Sequence, residues 1–394
     1  MPPATMPPAT TSMEEIFQQF SNTAGSADDV TKKDLMVRLR RMADSLEDAD
    51  DTVNRLIHLS LELAVVRVGV DLKIYDLLVA HKTPMSVNAI AKDSGASPQL
   101  LGRLLRFLSS HGAIKESGKD EFTFTNVTQN LVATGSQAGI CHNFATVCPQ
   151  YQDLPAFLRK TEYQDITDPA HTVMQDTFNF EGKAFDWMGS HPENLAYFND
   201  YMAGRRHNLD DTWLSVYPVE AEVKDWDPEA PVYVDVGGSV GHQCAGFKLR
   251  YPNLPGRVIL QDLPHTIAAA RLTPGVQNMA HDFFEPQPIK GAKFYYMRAV
   301  LHDWPDDLAR KIIHNIKLAM GEDSVLLVDE MVLPDVGVYS HVTSIDLSMM
   351  CALASVERTE SQWEALFASE GLELVQAMSY KPTSYESIMK FVQV

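Results

Sequence analysis

Val232-Tyr-Val-Asp-Val-Gly-Gly-Ser-Val-Gly241, followed by Val258-Ile-Leu-Gln-Asp262, decides the fold class. One short apolar run ends in the glycines Gly237, Gly238 and Gly241, and a second ends in the carboxylate of Asp262. Strand, glycine turn, helix, strand and acid in that order is how an open α/β sheet holds a nucleoside. Glycine turns the backbone through positive φ and lets a ligand come close to the main chain. The strict dinucleotide pattern G-x-G-x-x-G fails, because its second and third glycine positions, counted from Gly237, hold Ser239 and His242. A pyrophosphate needs several free N–H groups at a helix start. The failure therefore points away from NAD and toward S-adenosylmethionine (SAM), which has no phosphate. Asp262 is then placed to accept hydrogen bonds from the ribose hydroxyls. The bland alternative is a tight strand-to-helix turn without a ligand, and the acid closing the next strand counts against it.

Outward from this stretch, apolar runs predict strands near 232–236, 257–261, 276–280, 293–298, 324–330, 372–380 and 386–393. Helical patterns lie between them, for example Asp306 to Met320. Alternation of this kind implies an α/β fold with a mostly parallel, Rossmann-like sheet of seven strands over residues 231–394. The last two strands are joined through Pro382, too short a link for a crossover, so they read as an antiparallel hairpin at one edge. Asp225-Trp-Asp-Pro-Glu-Ala-Pro231 reads as the hinge into this domain.

Upstream, Met-Pro-Pro-Ala-Thr occurs twice at the start, and residues 1–12 read as a disordered lead-in. Residues 13–135 form a helical domain. From Met13 to about Ala80 the pattern is helical, with Leu56, Leu59, Leu63, Val66, Val70, Ile74 and Leu77 at three- and four-residue steps. This surface is apolar beyond what one core face needs, and the excess reads as a subunit interface. Met85 to Leu108 reads as helix, turn, helix, with Ser97 as N-cap and Pro98 opening the second helix. With the alternating Phe122-Thr-Phe-Thr-Asn it makes a winged helix-turn-helix. Only Arg103 and Arg106 supply cations on the second helix, so a packing and dimerisation module is favoured over a DNA reader. Residues 136–230 form a helical, aromatic-rich connector. Its Phe178, Trp187, Phe198 and Met202, with Met349 and Met350 further on, are expected to line a substrate pocket; the alternative is plain core.

The totals bound the rest. The chain has 394 residues, 45% hydrophobic and 22% charged, with a formal net charge of −19. That balance argues against nucleic acid or an anionic membrane as partner, and the basic stretches Arg38-Leu-Arg-Arg41 and Arg205-Arg206 read as solvated helix faces. No apolar run is long enough to span a bilayer, and no charged-then-apolar leader opens the chain. Cys141, Cys148, Cys244 and Cys351 show no metal-binding spacing and read as reduced thiols, so a cytoplasmic enzyme without a metal is expected.

Two further clusters follow strand ends. In His281-Asp282-Phe283-Phe284, Asp282 can accept from an adenine amino group while Phe283 covers the ring. In Met297-Arg298-Ala-Val-Leu-His302-Asp303-Trp304, Arg298 can reach the cofactor's carboxylate and His302 follows the strand. Methyl transfer to oxygen needs a deprotonated hydroxyl, and a neutral imidazole can take that proton. Glu330 and Glu357 are the candidate acids to orient it. On spacing alone a histidine before Asp-Trp-Pro is more often a loop histidine or a helix-start element, and Asp303 is equally a cap for the helix from Asp306 onward.

Together these motifs resemble the plant- and fungal-type O-methyltransferases of the caffeate/hydroxyneurosporene group. The resemblance runs from about residue 50 to the C-terminus. It rests on Val234-Asp-Val-Gly-Gly-Ser-Val-Gly241, Gln261-Asp-Leu-Pro264, His281-Asp-Phe-Phe284, Leu301-His-Asp-Trp-Pro305 and Glu357-Arg-Thr359. It implies that Gly237, Gly238, Gly241, Asp262, Asp282, Phe283 and Arg298 bind SAM. It also implies that His302 is the general base flanked by Glu330 and Glu357, and that no metal is needed. A homodimer through the N-terminal helices, acting on a hydroxylated and largely apolar natural product, fits it. Two positions depart from the family pattern: Ser239 stands where a third glycine is usual, and Ser355-Val356 replaces Gly-Lys before Glu357. A second resemblance, to fungal biosynthetic enzymes of the leporin type, rests on Ala138-Gly-Ile-Cys-His142-Asn-Phe144 and Pro255-Gly-Arg-Val-Ile-Leu-Gln-Asp-Leu-Pro264. Enzymes of that type bind SAM yet catalyse dehydration and pericyclic reactions without methylating. There His142 and a cation near the base position would polarise the substrate, and the sulfonium would add electrostatic stabilisation. The retained His302, Glu330 and Glu357 favour methyl transfer.

Overall fold

Helix formation begins at Ser12. Its hydroxyl accepts the N–H of Glu15 at 3.2 Å, and the Glu15 carboxylate accepts the N–H of Ser12 at 2.8 Å. This reciprocal cap satisfies two of the donors left over at a helix start. The helix it opens, α1 (Met13–Ser26), is followed by α2 (Asp29–Asp44) and α3 (Ala49–Ile57). These belong to one compact unit, Met1–Ile57, and His58–Val394 forms a second. The computed structural model describes residues 12–205, 212–224 and 226–394. The expected lead-in thus lies outside the described residues, except for Ser12, which belongs to the cap of α1. Arg206 of the basic pair and Asp225 of the hinge lie outside them as well.

In the second unit the helical pattern continues as α4 (Leu59–Asp71) and α5 (Ile74–His81). Lys73, at φ 53°, separates them, a break that no glycine or proline announces. Packing explains it. Tyr75 is fully buried and its hydroxyl donates to the Val66 carbonyl at 3.1 Å. A Cβ at Gly69 would lie only 2.5 Å from that hydroxyl, so Gly69 makes the room into which the ring folds. Next, α6 (Val87–Ser94) and α7 (Pro98–Ser110) flank the turn at Gly95. Pro98 opens α7 as expected, but Ser97 makes no side-chain capping bond. Three short strands, β1 (Met85–Ser86), β2 (Lys115–Gly118) and β3 (Glu121–Thr123), pair in the order β1-β3-β2. Ile74, Leu78, Ile90, Leu105 and Phe122 fill the core beneath them.

The connector is helical: α8 (Asn126–Asn130), α9 (Thr134–His142), α10 (Cys148–Lys160), α11 (Val173–Phe178), α12 (Ala184–Ser190), α13 (Pro192–Arg205) and α14 (Val219–Glu222). A π-helical turn, Asn143–Val147, joins α9 to α10. Such turns are rare and gather at functional sites.

The remaining elements are β4 (Pro231–Val236), α15 (His242–Arg250), β5 (Arg257–Asp262), α16 (Pro264–Ala268), β6 (Val276–Ala280), β7 (Phe294–Arg298), α17 (Asp306–Lys317), β8 (Val325–Met331), α18 (Ser340–Leu353), α19 (Glu360–Ala368), β9 (Leu372–Lys381) and β10 (Glu386–Gln393). The strands form one seven-stranded sheet in the order β6-β5-β4-β7-β8-β10-β9. The pairs among β4 to β8 are parallel; β10 runs antiparallel to both β8 and β9. Both faces are covered, as parallel sheets require: Ile259, Tyr295 and Leu326 point into one core, and Leu260, Tyr296 and Leu327 into the other. The chain moves outward from β4 to β6, then returns to the other side of β4 with β7. Strand order therefore reverses at β4, and its C-terminal end is where such sheets bind ligands. Phe157 and Val173 share a small core with Cys351 and Ala354, which ties the connector to α18.

Candidate active site

The end of β4 folds back onto β5. The N–H groups of Gly237 and Gly238 both donate to the Gln261 carbonyl, at 2.9 and 3.0 Å. A Cβ at Gly238 would lie 2.4 Å from Cγ of Asp235 and 2.5 Å from Cδ1 of Leu260, so only glycine fits there. Gly237, at φ 74°, keeps open the space between Val300 and Phe283, where a Cβ would sit 3.0 Å from one side chain and 3.5 Å from the other. Gly241 immediately precedes α15 at φ 88°. Ser239, the departure from the family's glycine, takes the left-handed conformation at φ 55°. Its N–H donates to Asp262 Oδ2 at 2.8 Å, which offsets the roughly 1–2 kcal/mol that conformation costs.

Asp262 Oδ1 accepts from the Leu263 N–H at 2.8 Å, and the Asp262 carbonyl accepts from the His281 N–H at 2.9 Å. Asp282 accepts the Phe284 N–H at 2.9 Å. The glycine loop, Asp262 and the Asp282–Phe283 segment are thus brought together. The residues fit SAM: two oriented carboxylates keep lone pairs for hydroxyl and amino donors, and an aromatic ring stands beside an open glycine. Arg298 ends β7 beside two acids. Its guanidinium lies 3.8 Å from Asp329, its register partner on β8, and 3.8 Å from Glu386. Two acids in the sheet thus balance its charge.

After β7 the chain turns at Ala299, φ 49°, into the short helical turn Leu301–Asp303. The His302 imidazole lies between two carboxylates, with Nδ1 2.9 Å from Glu357 Oε1 and Nε2 3.4 Å from Asp303 Oδ1. Asp303 therefore does not cap α17; Pro305 precedes that helix, and Asp303 faces the ring. Glu330 flanks the same turn. Its Oε1 accepts the N–H groups of Val300 and Leu301 at 3.0 Å and of His302 at 3.4 Å, so it holds the backbone beneath the imidazole. Glu357 is fixed in turn by its own N–H donating to Asp346 at 2.9 Å. Arg358, fully buried, donates to the carbonyls of Leu301 at 3.0 Å and Trp304 at 2.9 Å and to Asp306 at 2.8 Å. Asp346 escapes the sequence reading, and Asp303 and Arg358, which lie within its motifs, are given no part in the site there.

Burial opposes a charge on His302, but Asp303, Glu330 and Glu357 outweigh it and raise its pKa to about 10. The ligand-free ring is an imidazolium at neutral pH. Burial raises Glu330 to about 7. Glu357 Oε2 and Ser355 Oγ are buried without hydrogen-bond partners, an unusual state that a bound polar group would relieve.

His142 ends α9, with the π-helical turn directly after it. Burial lowers its pKa to about 4, so it is neutral, and its buried Nδ1 has no partner. Phe198 and Tyr201 pack on the ring, at centroid distances of 5.5 and 6.2 Å. The expected pocket residues behave differently. Phe178 stacks on Trp187 at 4.4 Å, and both join Met174, Met188 and Phe198 in a packed cluster. Met202 and Met349 are half-buried. A cavity of about 320 Å³ is lined instead by Arg67, Asp71, Phe144, Ala145, Glu193, Asn194 and Tyr197. Trp187 is buried in this cluster, while Phe178 and Phe198 stay partly exposed. No described helix is long and apolar enough to cross a membrane, and no described group of three His, Cys, Asp or Glu could hold a metal.

A Rossmann-like sheet with a nucleoside cradle and a histidine held by acids defines a class of group-transfer enzyme. Residues 167–373 match the O-methyltransferase domain, and residues 54–134 match the O-methyltransferase dimerisation domain. The chain belongs to the O-methyltransferase family, and its cofactor is SAM. It is similar to the demethylsterigmatocystin 6-O-methyltransferase of Aspergillus parasiticus, 40% identical over 372 residues, 93% of this chain and 95% of that protein. Two solved structures at 35% identity are also similar. LepI in complex with SAM has a TM-score of 0.87 and covers 97% of this chain and 98% of its own. A protein described as a pericyclic reaction enzyme has a TM-score of 0.86, with coverage of 97% and 99%.

Proposed function

We propose that this SAM-dependent O-methyltransferase methylates a hydroxyl of a small, largely apolar secondary metabolite, with His302 as the general base, and works as a homodimer. The observation that carries this is the His302 Nδ1 contact with buried Glu357 at 2.9 Å. SAM supplies an electrophilic methyl group on a sulfonium. Gly237, Gly238 and Gly241 shape its loop, Asp262 accepts from the ribose hydroxyls, Asp282 accepts from the adenine amino group and Phe283 covers the ring. Glu357 takes the Nδ1 proton of His302 in a hydrogen bond and so directs Nε2 toward the acceptor hydroxyl. Asp303 lies beside Nε2, and Glu330 keeps the turn rigid.

Three carboxylates hold the ring protonated, so it must release a proton before it can take one. Methyl transfer should therefore rise with pH, along a limb set by the His302 pKa of about 10. The test uses SAM labelled in its methyl group and a panel of hydroxylated, largely apolar small molecules that includes demethylsterigmatocystin, for which the relative is named. Label in the product, rising with pH and abolished in His302→Ala, is the expected result. Methylation undiminished in that variant would overturn the base assignment.

A second reading is favoured by the same imidazolium, by neutral His142 with its open Nδ1 and by the likeness to a pericyclic reaction enzyme. Here His302 acts as a cation, SAM stays intact and the substrate rearranges or dehydrates. Substrate loss without label, declining as pH rises toward 10, would establish this reading and remove the first.

A further inference from the structure

β5 reads Val258-Ile-Leu-Gln-Asp262, and Gln261 is an amide where an apolar side chain would serve the core. It is fully buried, as is Gln287, four residues beyond Phe283. Burying an amide is unfavourable unless its polar atoms are paired. These two pair with each other: Gln261 Nε2 donates to Gln287 Oε1 at 2.9 Å, and Gln287 Nε2 donates to Gln261 Oε1 at 2.8 Å. Gln287 Oε1 also accepts the Ile289 N–H at 3.1 Å, which fixes its own loop.

The surroundings of this pair are those of the cofactor cradle. The Gln261 carbonyl holds the N–H groups of Gly237 and Gly238, and the next residue is Asp262. On the other side, Asn315 donates to the Phe283 carbonyl at 3.1 Å, and Asp282 accepts the Phe284 N–H. The Asp282–Phe283 segment is therefore held before its start by the His281 N–H on the Asp262 carbonyl, at its end by its own turn and α17, and four residues further on by Gln287. We infer that Gln261 and Gln287 form an amide clasp that positions Asp262 and the Asp282–Phe283 segment for the adenosine part of SAM. Neither glutamine touches the ligand in this account; both are positioning residues. The inference rests on the assignment of Asp262, Asp282 and Phe283 to the cofactor.

Calorimetric titration of the full chain with S-adenosylhomocysteine tests it, well below the unfolding temperature. There a merely structural loss leaves the dissociation constant unchanged, because the native fraction stays near one. Gln287→Leu strands the Gln261 amide and should weaken binding by about tenfold. Gln287→Glu supplies a second readout. A protonated carboxyl donates through its hydroxyl and accepts through its carbonyl oxygen, as the amide donates through its nitrogen and accepts through its oxygen, whereas the carboxylate only accepts. Burial raises its pKa toward neutrality. Its dissociation constant relative to wild type should be close to one at about pH 6 and rise about tenfold by about pH 8.5. Asp262→Ala is the control for the underlying site and should lose binding. If Asp262→Ala loses binding while Gln287→Leu binds like wild type, the clasp is overturned. If Gln287→Leu does not fold, a flat Gln287→Glu ratio overturns it. Wild-type binding by Asp262→Ala would overturn the cofactor site, and the clasp with it.

Discussion

His302 is the residue on which pH acts most directly. Its folded pKa of about 10 exceeds the roughly 6.5 of an unfolded chain, because Asp303, Glu330 and Glu357 outweigh the burial that opposes its charge. Between those values the folded state binds more protons than the unfolded one, so stability falls as pH rises. The contribution is complete below about pH 6.5, is lost as pH passes about 10 and amounts to a few kcal/mol. Wild-type unfolding measured across this range should show the decline. His302→Gln should flatten it, and Glu357→Gln should shorten its window by lowering the histidine pKa. Parallel curves for all three would show that the proton resides elsewhere.

At the scale of elements, the turn after β7 is held from outside. Arg358 takes the carbonyls of Leu301 and Trp304 and the carboxylate of Asp306, while neighbouring Glu357 takes the imidazole. One Glu-Arg step thus clamps both the backbone and the ring. Arg358→Met keeps much of the volume but leaves two carbonyls unpaired, and should cost about 2–3 kcal/mol of stability. It should also reduce methyl transfer more than cofactor affinity, which steady-state kinetics beside thermal unfolding would reveal; an equal loss of both would place Arg358 in general packing. The central strands were legible in the sequence because they are buried on both faces: Pro231–Val236 and Val325–Met331 lie within a residue of their expected ranges. His302 and Glu357 were legible because acid, base and motif coincide. Arg358 was not, since its partners are backbone carbonyls distant in sequence. The break at Lys73 was hidden too, because its cause is the contact between Tyr75 and Gly69. Whether Phe178, Trp187 and Phe198 are core or pocket wall is not legible in the sequence, because stacked core aromatics and pocket walls share one composition.

At the scale of the whole molecule, the first unit poses a problem of exposed surface. No residue of α1, α2 or α3 is buried. Phe17 is 56% exposed, Met36 47%, Met42 56%, Val53 55%, Leu56 53% and Ile57 63%. A monomer rarely presents so many large apolar side chains on adjoining helices. Burying one yields roughly 1.5–3 kcal/mol, so six yield on the order of 10 kcal/mol. That is comparable with the roughly 4–15 kcal/mol of motional freedom lost on association. The match to the O-methyltransferase dimerisation domain begins at residue 54, inside α3, so Leu56 and Ile57 already belong to it. A second copy of the chain is the occupant this continuity favours. Light scattering of the full chain should therefore give twice the mass of one chain. Phe17→Glu combined with Met42→Glu should shift that mass toward a single chain on dilution, because each charge must be desolvated at the interface. If the double variant keeps the wild-type mass at every concentration, these helices lie outside the interface and their apolar faces must be covered by another molecule.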